Sequence, residues 1–308
     1  MHHEFSKALY DLFPMEDKTD FFAAYLYMKY AEHFLHQGVL TMGLPVRAPE
    51  RKIDEALVEM IKFHIQEISD VGMSRDTNIY HGKLVTSKDA SQLVTQKQDL
   101  TLPLSESVVP FKLARDVILK NPDSIALGTC PCRMVSENPC LPDPMEVCMF
   151  VGEPFASFIA EQNPYYRKVT QEEAVHVIET THKQGSVHTA FFKKDMGNRF
   201  YAICNCCKCC CLGIKIWNMT GGAYPYFSAS GYVSVVNTSE CNGCGICADD
   251  FCPFNAISLD EEAALAVIDF EKCLGCGVCD TICPTGALEL RREPAKGVPL
   301  DIQALKDA

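Results

Sequence analysis

Two cysteine runs set at a fixed offset constrain this chain more than any other feature. Cys241-x2-Cys244-x2-Cys247-x4-Cys252-Pro253 is followed by Cys273-x2-Cys276-x2-Cys279-x3-Cys283-Pro284, and the first three cysteines of one run map onto those of the other at an offset of 32 residues. The runs lead into Ala256-Ile257 and Ala287-Leu288, so residues 240–259 and 272–290 form an internal repeat. Gly243, Gly245, Gly275 and Gly277 lie between the cysteines, where they let the backbone wrap closely around a compact body.

Iron–sulfur ligation is the chemistry that needs this spacing. Iron is soft enough to prefer thiolate, and a cubane cluster takes four sulfurs. One tight turn supplies three of them, and in two-cluster chains the fourth comes from the other repeat. The spacing therefore predicts Cys241, Cys244, Cys247 and Cys283 around one 4Fe-4S cluster, with Cys273, Cys276, Cys279 and Cys252 around the other. Two Cys-Pro endings favour clusters over a pair of zinc knuckles. The first run departs from the common pattern. Four residues, Ala248-Asp249-Asp250-Phe251, stand where three are usual, which predicts a one-residue bulge before Cys252. The alternative is a three-iron cluster lacking that thiolate.

With 308 residues, 47% of them apolar, the chain has material for a sizeable core and more than one domain. Its 28 basic and 40 acidic residues give a net charge of −12, which argues against a nucleic-acid partner. Eighteen cysteines could suggest a disulfide scaffold. They cluster in tight motifs, however, and Met1 opens no apolar leader, so the expectation is metal ligation in a reducing cytoplasm. Lys29, Glu32, His33 and His36 interrupt the apolar stretch Phe21 to Leu44, and no transmembrane segment is expected.

The first 120 residues contain no cysteine. Ile53, Leu57, Met60, Ile61, Ile65 and Ile68 recur at helical spacing up to Gly72, and Phe5–Phe13 and Phe21–Leu35 also read as helices. His2, His3, His33, His36 and His64 lack a ligand motif and read as surface or capped histidines. Ile79–Ser91 reads as a turn with extended pieces, Val108–Lys120 as a helix stopped at Asn121-Pro122, and Met145–Ile159 as a helix carrying Cys148. Thr170-Gln171-Glu172-Glu173 is a capping box for a helix through His182 that Gly185 ends. Val187–Phe192 and Arg199–Ile203 read as strands joined by a turn, the second running into Cys204, and Tyr232–Val236 as a further strand.

Ten cysteines remain outside the repeat: Cys130, Cys132, Cys140 and Cys148, then Cys204, Cys206, Cys207, Cys209, Cys210 and Cys211. Neighbouring side chains diverge in both strand and helix, so the six in residues 204–211 cannot all face one small body. Either they share one larger site with the upstream four, or they form a wall between two sites. Zinc held by Cys130, Cys132, Cys140 and Cys148 is an intermediate reading, and free structural thiols the plainest one. Around them, Arg133 could neutralise a cluster or close a loop, and Glu146 could donate a proton or oppose a helix dipole. Lys208 could tune the thiolates, and His182 and His188 could be ligands. No glycine-rich dinucleotide or phosphate loop follows a strand, so no nucleotide or flavin site is expected.

Cys130-x-Cys132-Arg133, Cys140-x-x-Asp143-Pro144-Met145-Glu146-x-Cys148, Ile203-Cys204-Asn205-Cys206-Cys207-x-Cys209-Cys210-Cys211 and the terminal repeat together resemble a family of cysteine-rich 4Fe-4S dicluster ferredoxin-domain proteins of anaerobic bacteria and archaea. The resemblance covers about residues 125 to 290. It implies an iron–sulfur protein of electron-transfer or oxidoreductase type working with a redox partner protein. The expected fold is α+β: a helical N-terminal region (1–120), a mixed central cysteine-rich metal-binding domain (121–228), a two-4Fe-4S ferredoxin-like domain of bacterial type (229–292) and a tail (293–308). The expected function is electron transfer through two 4Fe-4S clusters to or from a further cluster or zinc at the central cysteines. A reductase acting on a small-molecule substrate there, a thiol redox sensor and a zinc-stabilised module are the alternatives.

Overall fold

Strands that are apolar at every position need cover on both faces, and the centre of this molecule is built from such strands. The computed structural model describes residues 4–13, 18–73, 80–139, 145–224 and 226–307. Helices α1 (Glu4–Tyr10), α2 (Thr19–Lys29), α3 (Ala31–Thr41) and α4 (Glu55–Met73) come first, so the Phe21–Leu35 stretch divides at Tyr30 and the last helix runs one residue past Gly72. Strand β1 (Tyr80–Leu84) and helix α5 (Ser87–Val94) occupy the stretch read as a turn with extended pieces. Thr86 caps α5, its hydroxyl accepting from the Asp89 N–H at 3.1 Å.

Val108–Lys120 is not a helix. Pro110 removes a backbone donor, Ala114 has φ of 53°, and the stretch ends as strand β3 (Val117–Leu119) paired with β2 (Leu100–Leu102). Strand β4 (Ile125–Thr129) leads into the single-turn helix α6 (Pro131–Met134), and then comes β5 (Glu146–Val151). Cys148 therefore lies on a strand rather than a helix. Gly152, with φ of 79°, and Pro154 break any helix through this segment, and α7 starts only afterwards (Phe155–Gln162). Strand β6 (Tyr166–Val169) is followed by α8 (Gln171–Lys183), where the Thr170 hydroxyl accepts from the Glu173 N–H at 3.2 Å as the capping box predicts. The two strands expected next are β7 (Val187–Lys193) and β8 (Arg199–Cys206), and the second carries Cys204 and Cys206 within it.

Helix α9 (Leu212–Met219) and strand β9 (Phe227–Ser228) complete the central region. The large sheet runs β6-β4-β5-β8-β7-β1-β9, antiparallel except for the β1–β9 pair, so one strand comes from the first 120 residues. Cys148 and Phe150 of β5 project into one core, which α1, α2 and α7 cover with Leu9, Met28 and Phe158. Met149 and Val151 project into the opposite core with Leu93 of α5 and Ile178 of α8. The C-terminal part holds β10 (Tyr232–Val236), β11 (Ile257–Asp260), β12 (Leu265–Ile268), α10 (Val278–Ile282), β13 (Leu288–Arg292) and α11 (Ile302–Lys306). Strand β10 pairs antiparallel with β13, and β11 with β12. The whole is an α+β fold.

Candidate metal centres

Strand register brings the first cysteines together. Cys148 on β5 sits directly opposite Cys204 on β8, and their Sγ atoms are 3.8 Å apart. Cys206, two residues along β8, falls on the same face as Cys204, whereas Asn205 between them points to the other. Cys130 leaves β4 at the N-cap of α6 and is held by its N–H donating to the Met145 carbonyl at 3.0 Å. Cys132 follows in α6, and Cys211 is the N-cap of α9. These six cysteines and Cys207 line one cavity of ≈ 80 Å³, which Tyr27 of α2 and Leu35 of α3 cover from the N-terminal region.

The thiols contact one another in series: Cys130 with Cys132, Cys132 with Cys211, Cys211 with Cys206, Cys206 with Cys204, and Cys204 with Cys148. Hydrogen bonds from Cys204 and Cys211 push Cys206 down to about 7, and one from Cys204, helped by the Tyr166 hydroxyl, lowers Cys148. Donation to Cys132 and then burial raise Cys130, and donation to Cys148 and Cys206 raises Cys204. Among the described residues no lysine or arginine lines the cavity. Six closely packed sulfurs, three of them on buried residues, cannot all ionise there unless a metal supplies positive charge, so the donor set fits a thiolate-bound metal centre.

The remaining cysteines of the run face a second place. The Sγ atoms of Cys207, Cys209 and Cys210 all lie within 4.8 Å of one another, and Cys209 is exposed. Cys207 is common to this group and to the cavity. Cys140 lies outside the described residues.

In the C-terminal part, Cys241, Cys244 and Cys247 line a cavity together with Cys283 of the other repeat, and Cys273, Cys276 and Cys279 line another together with Cys252. The extra residue before Cys252 is absorbed by a π-helical turn over Cys247–Phe251, where the second repeat has the ordinary α-turn of α10. Backbone N–H groups point at the sulfurs: Ala256 donates to Cys252 at 3.2 Å and Ala287 to Cys283 at 3.3 Å. Burial pushes Cys279 up to about 12 and raises Cys252 and Cys276. At Cys283 burial is outweighed by the Thr285 hydroxyl and backbone N–H groups, and the thiol is lowered. Gly275 has φ of 67°, and a Cβ there would stand 2.2 Å from the Tyr232 carbonyl oxygen, so only glycine lets this loop close. Four thiols around each small cavity, with N–H donors aimed at sulfur, fit a cubane in both places.

Residues 240–287 match the 4Fe-4S dicluster domain. No curated protein and no solved structure is significantly similar to the chain. The dicluster domain is fastened to the central sheet through its second loop. Ser230 donates from Oγ to the Gly275 carbonyl at 2.6 Å, and buried Lys83 of β1, its ammonium brought down to about 7 by desolvation, donates to the Ala229 carbonyl beside it. Leu274 and Val278 share a core with Cys148, Cys206 and Cys211. Trp217 of α9 packs on Phe254, with ring centroids 5.9 Å apart, two residues beyond Cys252.

Several residues singled out from sequence take other roles. His188 is buried on the far face of β7, where Nδ1 is 2.6 Å from the Asn205 amide oxygen, and it does not line the thiol cavity. His182 lies between His188, at 5.2 Å between ring centroids, and the dicluster domain, with Nε2 2.7 Å from the Thr281 hydroxyl. Glu146 starts a strand and pairs with Arg167 at 2.9 Å, so it opposes no helix dipole. Lys208 exerts its charge on Cys252 of the dicluster domain. Arg133 is buried and does not line the cavity. His33 Nε2 is 2.9 Å from the Arg51 carbonyl, and His64 meets Asp195 at 3.4 Å.

Two residues escaped the sequence reading. Ser234 of β10 donates its N–H to Cys273 Sγ at 3.5 Å and accepts at Oγ from Cys279 at 3.2 Å. A lone small polar residue among Val233, Val235 and Val236 was the available signal. Asn205 joins His188 to the backbone of β5, its amide donating to the Val147 carbonyl at 2.8 Å. Its opposite parity to Cys204 and Cys206 on a strand foretells the different face.

Proposed function

We propose that this protein carries single electrons between a redox partner and a third metal centre through the two 4Fe-4S clusters of its dicluster domain. Cys241, Cys244, Cys247 and Cys283 hold one cluster, and Cys273, Cys276, Cys279 and Cys252 the other. Cys130, Cys132, Cys148, Cys204, Cys206 and Cys211 hold the third centre. When bound, the clusters supply one-electron chemistry at potentials set by hydrogen bonds and burial. The chain's own residues hold the sulfurs in place, exclude water with an aromatic wall and aim N–H groups at thiolate.

The observation that carries this reading is the convergence of seven thiols, those six and Cys207, on one cavity. More than four thiols around one cavity exceed the need of a single tetrahedral ion. Leu274 and Val278 of the second cluster's loop lie in the same core as these sulfurs, which favours exchange through the Cys252 side of the dicluster domain. Anaerobic iron and sulfide quantification with an electron paramagnetic resonance titration tests it. The expected result is iron clearly above the roughly eight atoms of two cubanes, with a third signal. Iron at about eight, and only two interacting cubane signals, would sink the reading. A small-molecule reductase is the second reading, favoured by the Tyr27, Tyr80 and Tyr226 wall of the cavity. It requires that added small ligands perturb the third signal.

A further inference from the structure

The second cysteine group has its own geometry. Cys207, Cys209 and Cys210 place three sulfurs within 4.8 Å of one another, with Cys209 and Cys210 3.5 Å apart. Two thiolates on one tetrahedral zinc, each about 2.3 Å from the metal, stand roughly 3.8 Å apart. The Cys209–Cys210 pair is close to that spacing, and the other two pairs lie within 4.8 Å. The triad's sequence, Cys-x-Cys-Cys, also leaves one residue and then none between ligands, whereas both cubane loops of this chain use two residues at each step. Among the described residues no fourth histidine, cysteine, aspartate or glutamate joins the group.

We infer that Cys207, Cys209 and Cys210 form a separate mononuclear site for one soft, thiophilic ion of the zinc class, open to solvent beside Cys209. The site is distinct from the third centre of the proposed electron path, although Cys207 also lines the central cavity. It does not depend on that centre being redox-active. Three thiolates and one divalent ion leave a net charge of −1. Thiolate donors select zinc or monovalent copper over hard cations. The exposed edge at Cys209 lets the ion enter and leave without unfolding the sheet.

The test uses the full chain with its iron–sulfur centres intact, purified anaerobically and titrated with zinc alone. Cys207 is left in place because it lines the central cavity, and the variant is Cys209→Ser with Cys210→Ser. The native chain is expected to bind about one zinc ion, seen by zinc-edge X-ray absorption as at least three sulfurs at about 2.3 Å with no iron shell. The variant is expected to lose that ion and keep its iron and acid-labile sulfide. Zinc retained by the variant, or iron lost from it in place of zinc, would overturn the assignment. So would an iron shell around the zinc of the native protein. The absorption spectrum needs no variant, so a poorly folding double mutant does not rescue the proposal. A Cys209–Cys210 disulfide in the anaerobically purified chain, found by peptide mass mapping, would also overturn it.

Discussion

The dicluster domain and the central thiol cavity hold sulfur in opposite ways. In the first, three cysteines of each set come from one loop of seven residues, such as Cys241 to Cys247, and glycines bend the backbone around the cavity. In the second, the cysteines come from β4–α6, β5, β8 and the start of α9, and the pairing of Cys148 with Cys204 across two strands sets the spacing. A loop-borne site is local in sequence and depends on turn conformation. A sheet-borne site is as rigid as the sheet and depends on register, since a slip of one residue would turn Cys204 and Cys206 to the Asn205 face.

The largest effect separates the two designs by single cysteines. Cys283→Ser is expected to cost the cluster of the first repeat, about four irons, while the signal of the second survives. Cys148→Ser should strip metal from the central cavity and leave about eight irons in the dicluster domain. Iron analysis and spin quantification on the two variants read this directly. Loss of the second repeat's cluster in Cys283→Ser would break the cross-repeat assignment. Loss of both cubanes in Cys148→Ser would break the contrast itself.

Glycine geometry gives the next effect. Alanine at Gly275 adds a Cβ 2.2 Å from the Tyr232 oxygen at a φ of 67°, whereas at Gly286, with φ of 69°, nothing lies within 4 Å. Left-handed backbone alone costs about 1 kcal/mol. The clash with β10 adds overpacking and backbone displacement, for a total of about 4 kcal/mol. Denaturant midpoints should therefore fall about four times further for Gly275→Ala than for Gly286→Ala. Equal shifts would mean that the loop is not pinned against β10.

The same contrast explains what could be read in advance. The placing of each three-cysteine loop beside the last cysteine of the other repeat is legible because Cys-x2-Cys-x2-Cys is a local code. Even the surplus residue before Cys252 announced a bulge, and it is a π-turn. The central site was legible only as a surplus of cysteines. Val147-Cys148-Met149-Phe150-Val151 is buried on both faces of a sheet, and such a run has no period that separates a strand from a buried helix. Gly152 and Pro154 carried the decisive information. Val108–Lys120 was expected to be a helix stopped at Asn121-Pro122, but Pro110 and the positive φ of Ala114 already break the segment before that stop.

A smaller effect probes the register through His188. Burial, opposed by the Asn205 hydrogen bond and assisted by His182, lowers its pKa to about 4 from an ordinary value near 6.5. The unfolded chain therefore takes up a proton below about pH 6.5 that the native protein refuses. The stability is fully present above that pH and is lost as pH falls toward 4. Between about pH 7.5 and pH 5 the loss is about 2 kcal/mol. Urea midpoints across this range should show it, and His188→Asn should flatten the slope. An unchanged slope in the variant would mean that His188 is not held neutral between β7 and β8.

The smallest effect concerns Glu146, at the start of the strand that carries Cys148. Its carboxylate meets Arg167 at 2.9 Å, Arg167 also meets Glu173 at 2.6 Å, and all three side chains are more than a third exposed. Exposed pairs of this kind are worth about 0.5 kcal/mol or less. The Arg167 guanidinium retains Glu173 when Glu146 is lost. Glu146→Gln is therefore expected to move the denaturant midpoint by no more than that and to leave iron content and spin signals unchanged. The register of β5, set by its backbone pairing with β4 and β8, does not need this carboxylate. A change in the central metal signal would instead place Glu146 in the chemistry of the thiol cavity. The sheet would then be holding more than sulfur.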